Sequence, residues 1–305
     1  MAKWTASEIP PQHGKLAVVT GTGGLGYEDA LELARAGADV IIAGRNPKKG
    51  AEAVARIREA VPGAAIRFEQ IDLANLQSVA AFAERLAGQG DRLDLLINNA
   101  GVMVPPERQL TEDGFELQFG TNYLGHFALT AHLLPLLRKG SDPRVVTLSS
   151  IAARNGQIDL TDLQSRTYVP MQAYSQSKLA CLMFAFELQR RSAAGNWGIS
   201  SVAAHPGISR TDLLHNGPGR RSATGLARSL LWFVFQPAAQ GALPTLYAAT
   251  SPQAQPGAYY GPDTFGEVRG YPKLSKTPQQ ALDQTVARQL WEASEQLASV
   301  RFPAV

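Results

Sequence analysis

Apolar residues fall into short runs separated by stretches with helical spacing. Leu16–Thr20 is a β-rich run that leads directly into glycines. From Leu25 to Gly37, the apolar or small positions Leu25, Ala30, Leu33 and Ala34 follow helical spacing, and the glycine supplies a stop. Val40–Ala43 is a second buried strand. Pro47 fits the first turn of the next helix, which stops before Pro62. The pattern predicts further strands at Ile66–Ile71, Leu93–Ile97, Arg144–Leu148 and Ile199–Ala203, and helices at Leu76–Leu86, Gly114–Arg138 and Gln172–Arg191. Pro135 lies near the end of the second of these helices. Such alternation predicts a parallel sheet covered on both faces, and right-handed crossovers make it doubly wound. The expected fold is α/β, with 1–305 forming a single doubly wound domain. Residues 15–213 form its cofactor-binding and catalytic core. Beyond them Pro and Gly become frequent and the pattern weakens, so 214–305 is expected to be a C-terminal helical lid and extension.

Composition narrows the functional classes. The 305 residues are 45% hydrophobic with a formal net charge of +3, which argues against disorder. That basic balance is too weak, and too evenly spread, to point to nucleic acid. One cysteine, Cys181, excludes an internal disulfide, and the five scattered histidines show no metal-ligand spacing, so no metal is expected. Met1–Gly14 lacks the apolar stretch of a signal peptide. The apolar run Leu230–Phe235 is far shorter than the ~20 residues that span a bilayer. A cytoplasmic protein without stable membrane insertion is expected.

Gly21-Thr22-Gly23-Gly24-Leu25-Gly26 reads G-x-G-x-x-G between the first strand and the first helix. That position suits a dinucleotide: a tight turn, close backbone approach to a pyrophosphate, and helix N–H groups facing the phosphates. A glycine-rich turn alone is only a turn; its place in the first βα unit is what points to a nucleotide. The acidic ribose ligand that usually ends the second strand is missing. Arg45 stands there instead, with Lys48 and Lys49 beyond. A guanidinium suits a 2′-phosphate, so NADP(H) is expected over NAD(H), although NAD(H) remains open. The plainer reading of Arg45 is a solvated basic loop at a helix start.

Tyr174 and Lys178 are four apart in a helical pattern and so share a face. A phenol titrates near 10 and is a poor base at neutral pH, but an adjacent ammonium favours phenolate. Such a pair is commonplace by itself. Here, however, other polar features converge at strand ends. Asn98-Asn99-Ala100-Gly101 follows the fourth strand, Ser149-Ser150 the fifth, and His205-Pro206-Gly207 the sixth; Asn122 lies in the long helix after the fourth. Doubly wound folds bind ligands at those ends.

In this combination and order the chain resembles the short-chain dehydrogenases/reductases, from about Lys15 to Leu213. The carriers are the glycine loop, Asn98-Asn99-Ala100-Gly101, Asn122, Ser150, Tyr174-x-x-x-Lys178 and Pro206-Gly207-x-x-x-Thr211. Thr121–Phe127 and Ala173–Ala180 resemble the retinol-dehydrogenase-like branch, as does the long segment between Ser150 and Tyr174. The resemblance implies a Rossmann fold and a set of roles. Tyr174 would exchange the hydroxyl proton and Ser150 would hold the substrate oxygen. Lys178 would favour the phenolate and bind the nicotinamide ribose, and Asn122 would fix a water linking Lys178 to solvent. Gly21, Gly23, Gly24, Leu25 and Gly26 would approach the pyrophosphate. Asp72 and Leu73 would flank the adenine, and Asn99, Ala100 and Gly101 would line the cleft. Pro206, Gly207, Ile208, Ser209 and Thr211 would hold the carboxamide and pyrophosphate. One departure is clear: the glycine loop is one residue shorter than the family's usual T-G-x-x-x-G-x-G, and so lacks a position that often binds a cofactor phosphate.

His126, His205 and Cys181 read as structural residues, and Asp159 and Asp162 as loop and cap residues. Leu226–Phe235, which includes Trp232, reads as core packing, as a lid over an apolar pocket or, ranked last because Arg228 is its one charge, as a membrane-surface contact. Arg210, Arg220 and Arg221 could instead receive an acidic group. The expected function is an oxidoreductase interconverting an alcohol with a ketone or aldehyde, acting on a bulky, largely apolar substrate rather than a small polar one. The other reading is a nucleotide-sensing regulatory protein on the same fold. A homo-oligomer is compatible with either.

Overall fold

The computed structural model describes residues 3–209 and 236–304. Its strands form one sheet in the order β3-β2-β1-β4-β5-β6-β7-β8. Strands β1 (Leu16–Thr20), β2 (Asp39–Gly44), β3 (Ile66–Gln70), β4 (Leu95–Asn98), β5 (Arg144–Leu148), β6 (Ser200–Ala204) and β7 (Tyr259–Thr264) are parallel. Strand β8 (Arg269–Leu274) closes one edge antiparallel to β7. The helices are α1 (Gly24–Arg35), α2 (Pro47–Ala60), α3 (Leu76–Gln89), α4 (Gly125–Leu137), α5 (Pro170–Ala194), α6 (Ala238–Thr250) and α7 (Gln284–Leu297).

Alternating strand residues serve two cores, as the two-residue period of a strand requires. Val18, Ile41, Leu96 and Val145 face α3, α4 and α5. Val19, Ile42, Ile97 and Val146 face α1, α2 and α6. Helix starts follow local chemistry: Asn46 accepts the Lys49 N–H at 3.1 Å with Pro47 in the first turn, and Asn75 accepts the Ser78 N–H at 2.9 Å.

The stretch predicted as one helix over Gly114–Arg138 is less regular than its apolar spacing implies. A π-helical turn, Phe119–Leu124, precedes α4. Such turns are rare and concentrate at functional sites.

The described part of the C-terminal extension is not only helical. Strand β7 pairs with β6, setting Ala203 against Tyr259 and Ala204 against Tyr260, so the extension widens the sheet. Helix α7 packs on α5 and buries Trp291 against Phe127 (ring centroids 5.0 Å apart) and Phe302 (4.4 Å). Asp283 starts that helix by accepting the N–H groups of Thr285 and Val286 at 2.9 and 3.0 Å. Among the described residues, no helix is long and apolar enough to cross a membrane. Leu226–Phe235, Arg210, Arg220, Arg221 and Thr211 lie outside the described residues.

Candidate active site

Strand order reverses between β1 and β4, and ligands in doubly wound sheets bind at the carboxyl ends of such a pair. A cleft of about 710 Å³ opens there. Its walls include Gly23, Gly24 and Leu25 at the start of α1, Asn99–Gly101 after β4, Ser149 and Ser150 after β5, Tyr174 and Lys178 on α5, and Pro206–Ser209 after β6.

The β1 and β4 ends are tied by Thr20 and Asn99. Thr20 Oγ1 accepts the N–H groups of Asn99 and Ala100 at 2.9 and 3.0 Å, and Asn99 Nδ2 donates to the Thr20 carbonyl at 2.6 Å. This crossing fixes the glycines. Gly21 turns the chain with φ +99°, and a Cβ on Gly26 would overlap the Gly21 carbonyl and sit 2.5 Å from Asn99 Nδ2. Backbone therefore approaches backbone where α1 begins, leaving its first N–H groups aimed into the cleft.

Ser150 caps a 3₁₀ turn, Ile151–Asn155, by accepting the Ala152 N–H at 3.2 Å, which leaves its own hydroxyl proton for a ligand. Tyr174 is almost buried at 7% exposure, yet no described residue hydrogen-bonds its hydroxyl. Lys178 Nζ donates to the Leu148 carbonyl at 3.1 Å, and Ser149 Oγ donates to the Lys178 carbonyl at 2.7 Å. These two bonds hold α5 to the end of β5, so Ser150, Tyr174 and Lys178 share one wall.

Asn122, in the π-helical turn, sits behind the cleft. Its Oδ1 accepts the Val102 N–H at 2.7 Å, while Nδ2 donates to the Val102 carbonyl and to Ser177 Oγ at 2.9 and 3.0 Å. Its side chain thus props the wall formed by Gly101 and Val102. Its carbonyl receives His126 Nδ1 at 2.9 Å and Cys181 Sγ at 3.2 Å. Burial first, and Lys178 nearby, push the His126 imidazole down to about 4, outweighing the bond to Asn122. The neutral ring carries its proton on Nδ1, so Thr20 Oγ1 donates to Nε2 across 2.9 Å. His126 and Cys181 are both buried and bonded to the Asn122 carbonyl, off the cleft walls.

A model of the family described as short chain dehydrogenase matches residues 15–220. The chain belongs to the short-chain dehydrogenase family. It lies in the retinol-dehydrogenase-like branch. Mus musculus polyprenol dehydrogenase is 41% identical over 292 residues, covering 93% of this chain and 83% of that protein. Homo sapiens retinol dehydrogenase 13 is 38% identical, covering 96% and 87% respectively. Among solved structures, an uncharacterized protein from Mycobacterium paratuberculosis superposes with a TM-score of 0.82 at 40% identity, covering 99% of this chain and all of that one. A short chain dehydrogenase from Escherichia coli complexed with NADPH shares the fold, with a TM-score of 0.64, 24% identity, and coverage of 82% and 96%.

Not every residue that the family resemblance singled out reaches the cleft of this short-chain dehydrogenase. Arg45 is exposed and absent from the walls, its carbonyl bonded by Gln70 at 3.4 Å. Asp72 also lies off the walls and accepts the Ala74 N–H at 2.9 Å, while Leu73 is buried in the core. Conversely, sequence reasoning missed a wall on α2. Lys49, Glu52, Ala53 and Arg56 line the cleft, and Arg56 lies over the Tyr27 ring at 4.2 Å. Their i, i+3, i+4, i+7 spacing was available as a signal of one helix face. Met103, Ile151 and Met171 add apolar surface that no local pattern marks.

Proposed function

We propose that this short-chain dehydrogenase interconverts a bulky apolar alcohol and its aldehyde or ketone, using NADP(H). The observation that carries this reading is that Ser150, Tyr174 and Lys178 share a single cleft with the glycine turn at the start of α1. A dinucleotide fits: the turn leaves no room for side chains beside Gly21 and Gly26, helix N–H groups face the space, and the volume lies in the range of small-molecule sites. The coenzyme preference rests on charge. No carboxylate ends β2, Lys49 and Arg56 set two cations against Glu52 on the α2 wall, and Arg45 stands nearby.

When bound, the nicotinamide supplies the hydride donor or acceptor. The protein handles the proton. Ser150 Oγ donates a hydrogen bond to the substrate oxygen. Tyr174 gives its phenolic proton to that oxygen during reduction and takes it back during oxidation. Lys178, on the same wall, would hold the nicotinamide ribose. Asn122 acts from behind by fixing the Gly101–Val102 wall. Met103, Ile151 and Met171 suit an apolar substrate, in keeping with polyprenol and retinol in the names of the relatives.

A panel of alcohols and aldehydes of increasing apolar length, assayed with NADPH/NADP⁺ and NADH/NAD⁺, tests this. The expected result is a kcat/KM that rises with apolar bulk and favours the phosphorylated coenzyme. A preference for small acidic substrates, or for NADH, would overturn the corresponding half.

A further inference from the structure

The turn between β7 and β8 carries a side chain that the reaction above does not use. Phe265, Gly266 and Glu267 are consecutive residues with φ of 51°, 66° and 70°. Left-handed backbone at non-glycine residues is strained and persists only where its surroundings demand it. Here the strained turn delivers the Glu267 carboxylate inward. Oε2 meets the Arg154 guanidinium, His205 Nε2 at 3.0 Å, and the Ser275 hydroxyl. Oε1 accepts the Lys276 N–H at 2.9 Å. Burial alone would raise this carboxyl, but the bonds from His205, Ser275 and Lys276, with the Arg154 charge, bring it down to about 2.

Its two main partners belong to two segments that line the cleft, after the neighbouring strands β5 and β6. Arg154 lies in the 3₁₀ turn capped by Ser150, and Gln280 also bonds that turn at the Arg154 carbonyl, 2.9 Å away. His205 immediately precedes Pro206 and Gly207. Its Nδ1 accepts the Gly207 N–H at 3.2 Å, so the neutral ring must donate from Nε2. Burial lowers that imidazole, although Glu267 opposes it. The same turn holds the loop by backbone: the Ile208 N–H donates to the Val268 carbonyl at 2.8 Å, and Gly207 lies so close to that carbonyl that no Cβ fits. The Tyr259 ring packs on His205 at 5.1 Å, and its hydroxyl reaches the Ser150 carbonyl at 3.5 Å.

We propose that Glu267 is a positioning residue that sets the Ser150 turn and the Pro206–Ser209 loop in register through Arg154 and His205. One carboxylate thereby aligns the group that holds the substrate oxygen with the loop that holds the cofactor. The inference rests on the proposed function for the meaning of that alignment. Two consequences follow from the geometry. Without the negative charge, Arg154, whose side chain is 32% exposed, is free to turn to solvent. His205, fully buried, keeps Ser275 Oγ 2.9 Å from Nε2 but loses the charged acceptor that ties it to this turn.

The test is Glu267→Gln in the full chain, with NADPH affinity measured by calorimetry and kcat measured at saturating NADPH. Losing a partly buried charge-assisted bond corresponds to about tenfold, so Kd should rise and kcat fall by that order. Arg154→Ala should lower kcat more than it raises Kd, and His205→Asn should raise Kd more than it lowers kcat. Adding Arg154→Ala to Glu267→Gln should lower kcat no further. A merely structural role would lower Tm and leave both parameters of the folded enzyme unchanged; folded E267Q with Kd and kcat within about twofold of wild type would overturn the proposal. Should E267Q not fold, the opposite bias of the Arg154 and His205 variants decides, and equal effects on Kd and kcat overturn it. Calorimetry needs no turnover. Wild type that binds NADPH yet reduces no carbonyl refutes the proposed function, while the Kd comparison still judges Glu267.

Discussion

Replacing Tyr174 by Phe separates chemistry from folding with unusual clarity here. The ring is 7% exposed and packed in α5, but its hydroxyl has no hydrogen-bond partner among the described residues. Removing that oxygen therefore breaks no internal bond, and stability should change by no more than about 0.5 kcal/mol. Turnover should fall by about 10²–10⁴, the usual contribution of a positioned acid/base. At about 1.36 kcal/mol per tenfold, this is roughly 3–5 kcal/mol of barrier. NADPH affinity should stay within about threefold, because Lys178 keeps its bond to Leu148. Urea melts, calorimetric titration and steady-state rates at saturating coenzyme measure the three quantities. Tyr123→Phe is the contrasting control. Its buried hydroxyl bonds Ser294 Oγ at 2.7 Å, so it should cost about 1–3 kcal/mol of stability and leave kcat alone. Wild-type kcat in Y174F, or a Y174F protein that simply unfolds, would refute the reasoning.

Further outcomes follow from other residues. Lys49→Glu should weaken NADPH by about 10–100-fold and more than Arg45→Asp does, since Lys49 lines the cleft and Arg45 does not; the reverse order in kcat/KM would restore Arg45. Asp29 on α1 is fully buried, and neither carboxylate oxygen bonds a described residue. Burial first, and Glu28 second, hold its carboxyl well above the usual range. A folded-state value above the unfolded one means its contribution is complete below about pH 4 and is lost as pH rises, at about 1.4 kcal/mol per unit of difference. Asp29→Asn should accordingly raise Tm more at pH 8 than at pH 5, and a variant less stable than wild type at pH 8 would contradict this. Trp291→Ala should cost about 3–5 kcal/mol in urea unfolding, and a loss below about 1 kcal/mol would mean that α7 is dispensable to the core.

Much of the site was legible because its signals are local. The glycine turn, the strand ends at Asn99 and Ser150, and the Tyr174–Lys178 spacing each lie within a few residues, and β1 and β5 match their predicted bounds. Other boundaries moved little: β6 is Ser200–Ala204 where Ile199–Ala203 was expected, and α5 is Pro170–Ala194 where Gln172–Arg191 was expected. The misses have physical causes. In β7, Tyr259–Thr264, glycine and proline interrupt the apolar pattern, and the segment becomes a strand only by pairing with β6. The π-helical turn before α4 leaves no mark in apolar spacing.

By itself, then, the sequence determined the alternating fold, the family and some of the cleft's lining, Ser150, Tyr174 and Lys178 among it, because two-residue and helical periods and short motifs are written in neighbouring positions. Only the tertiary structure decided that Lys49 and Arg56 rather than Arg45 form the α2 wall of the cleft, that Asn122 props the Gly101–Val102 segment from behind, and that α7 belongs to the core. It alone brought Glu267 to Arg154, 113 residues away in sequence, and to His205. Such contacts depend on how strands are ordered and where turns end, and no local pattern in a chain encodes the distance between its remote parts.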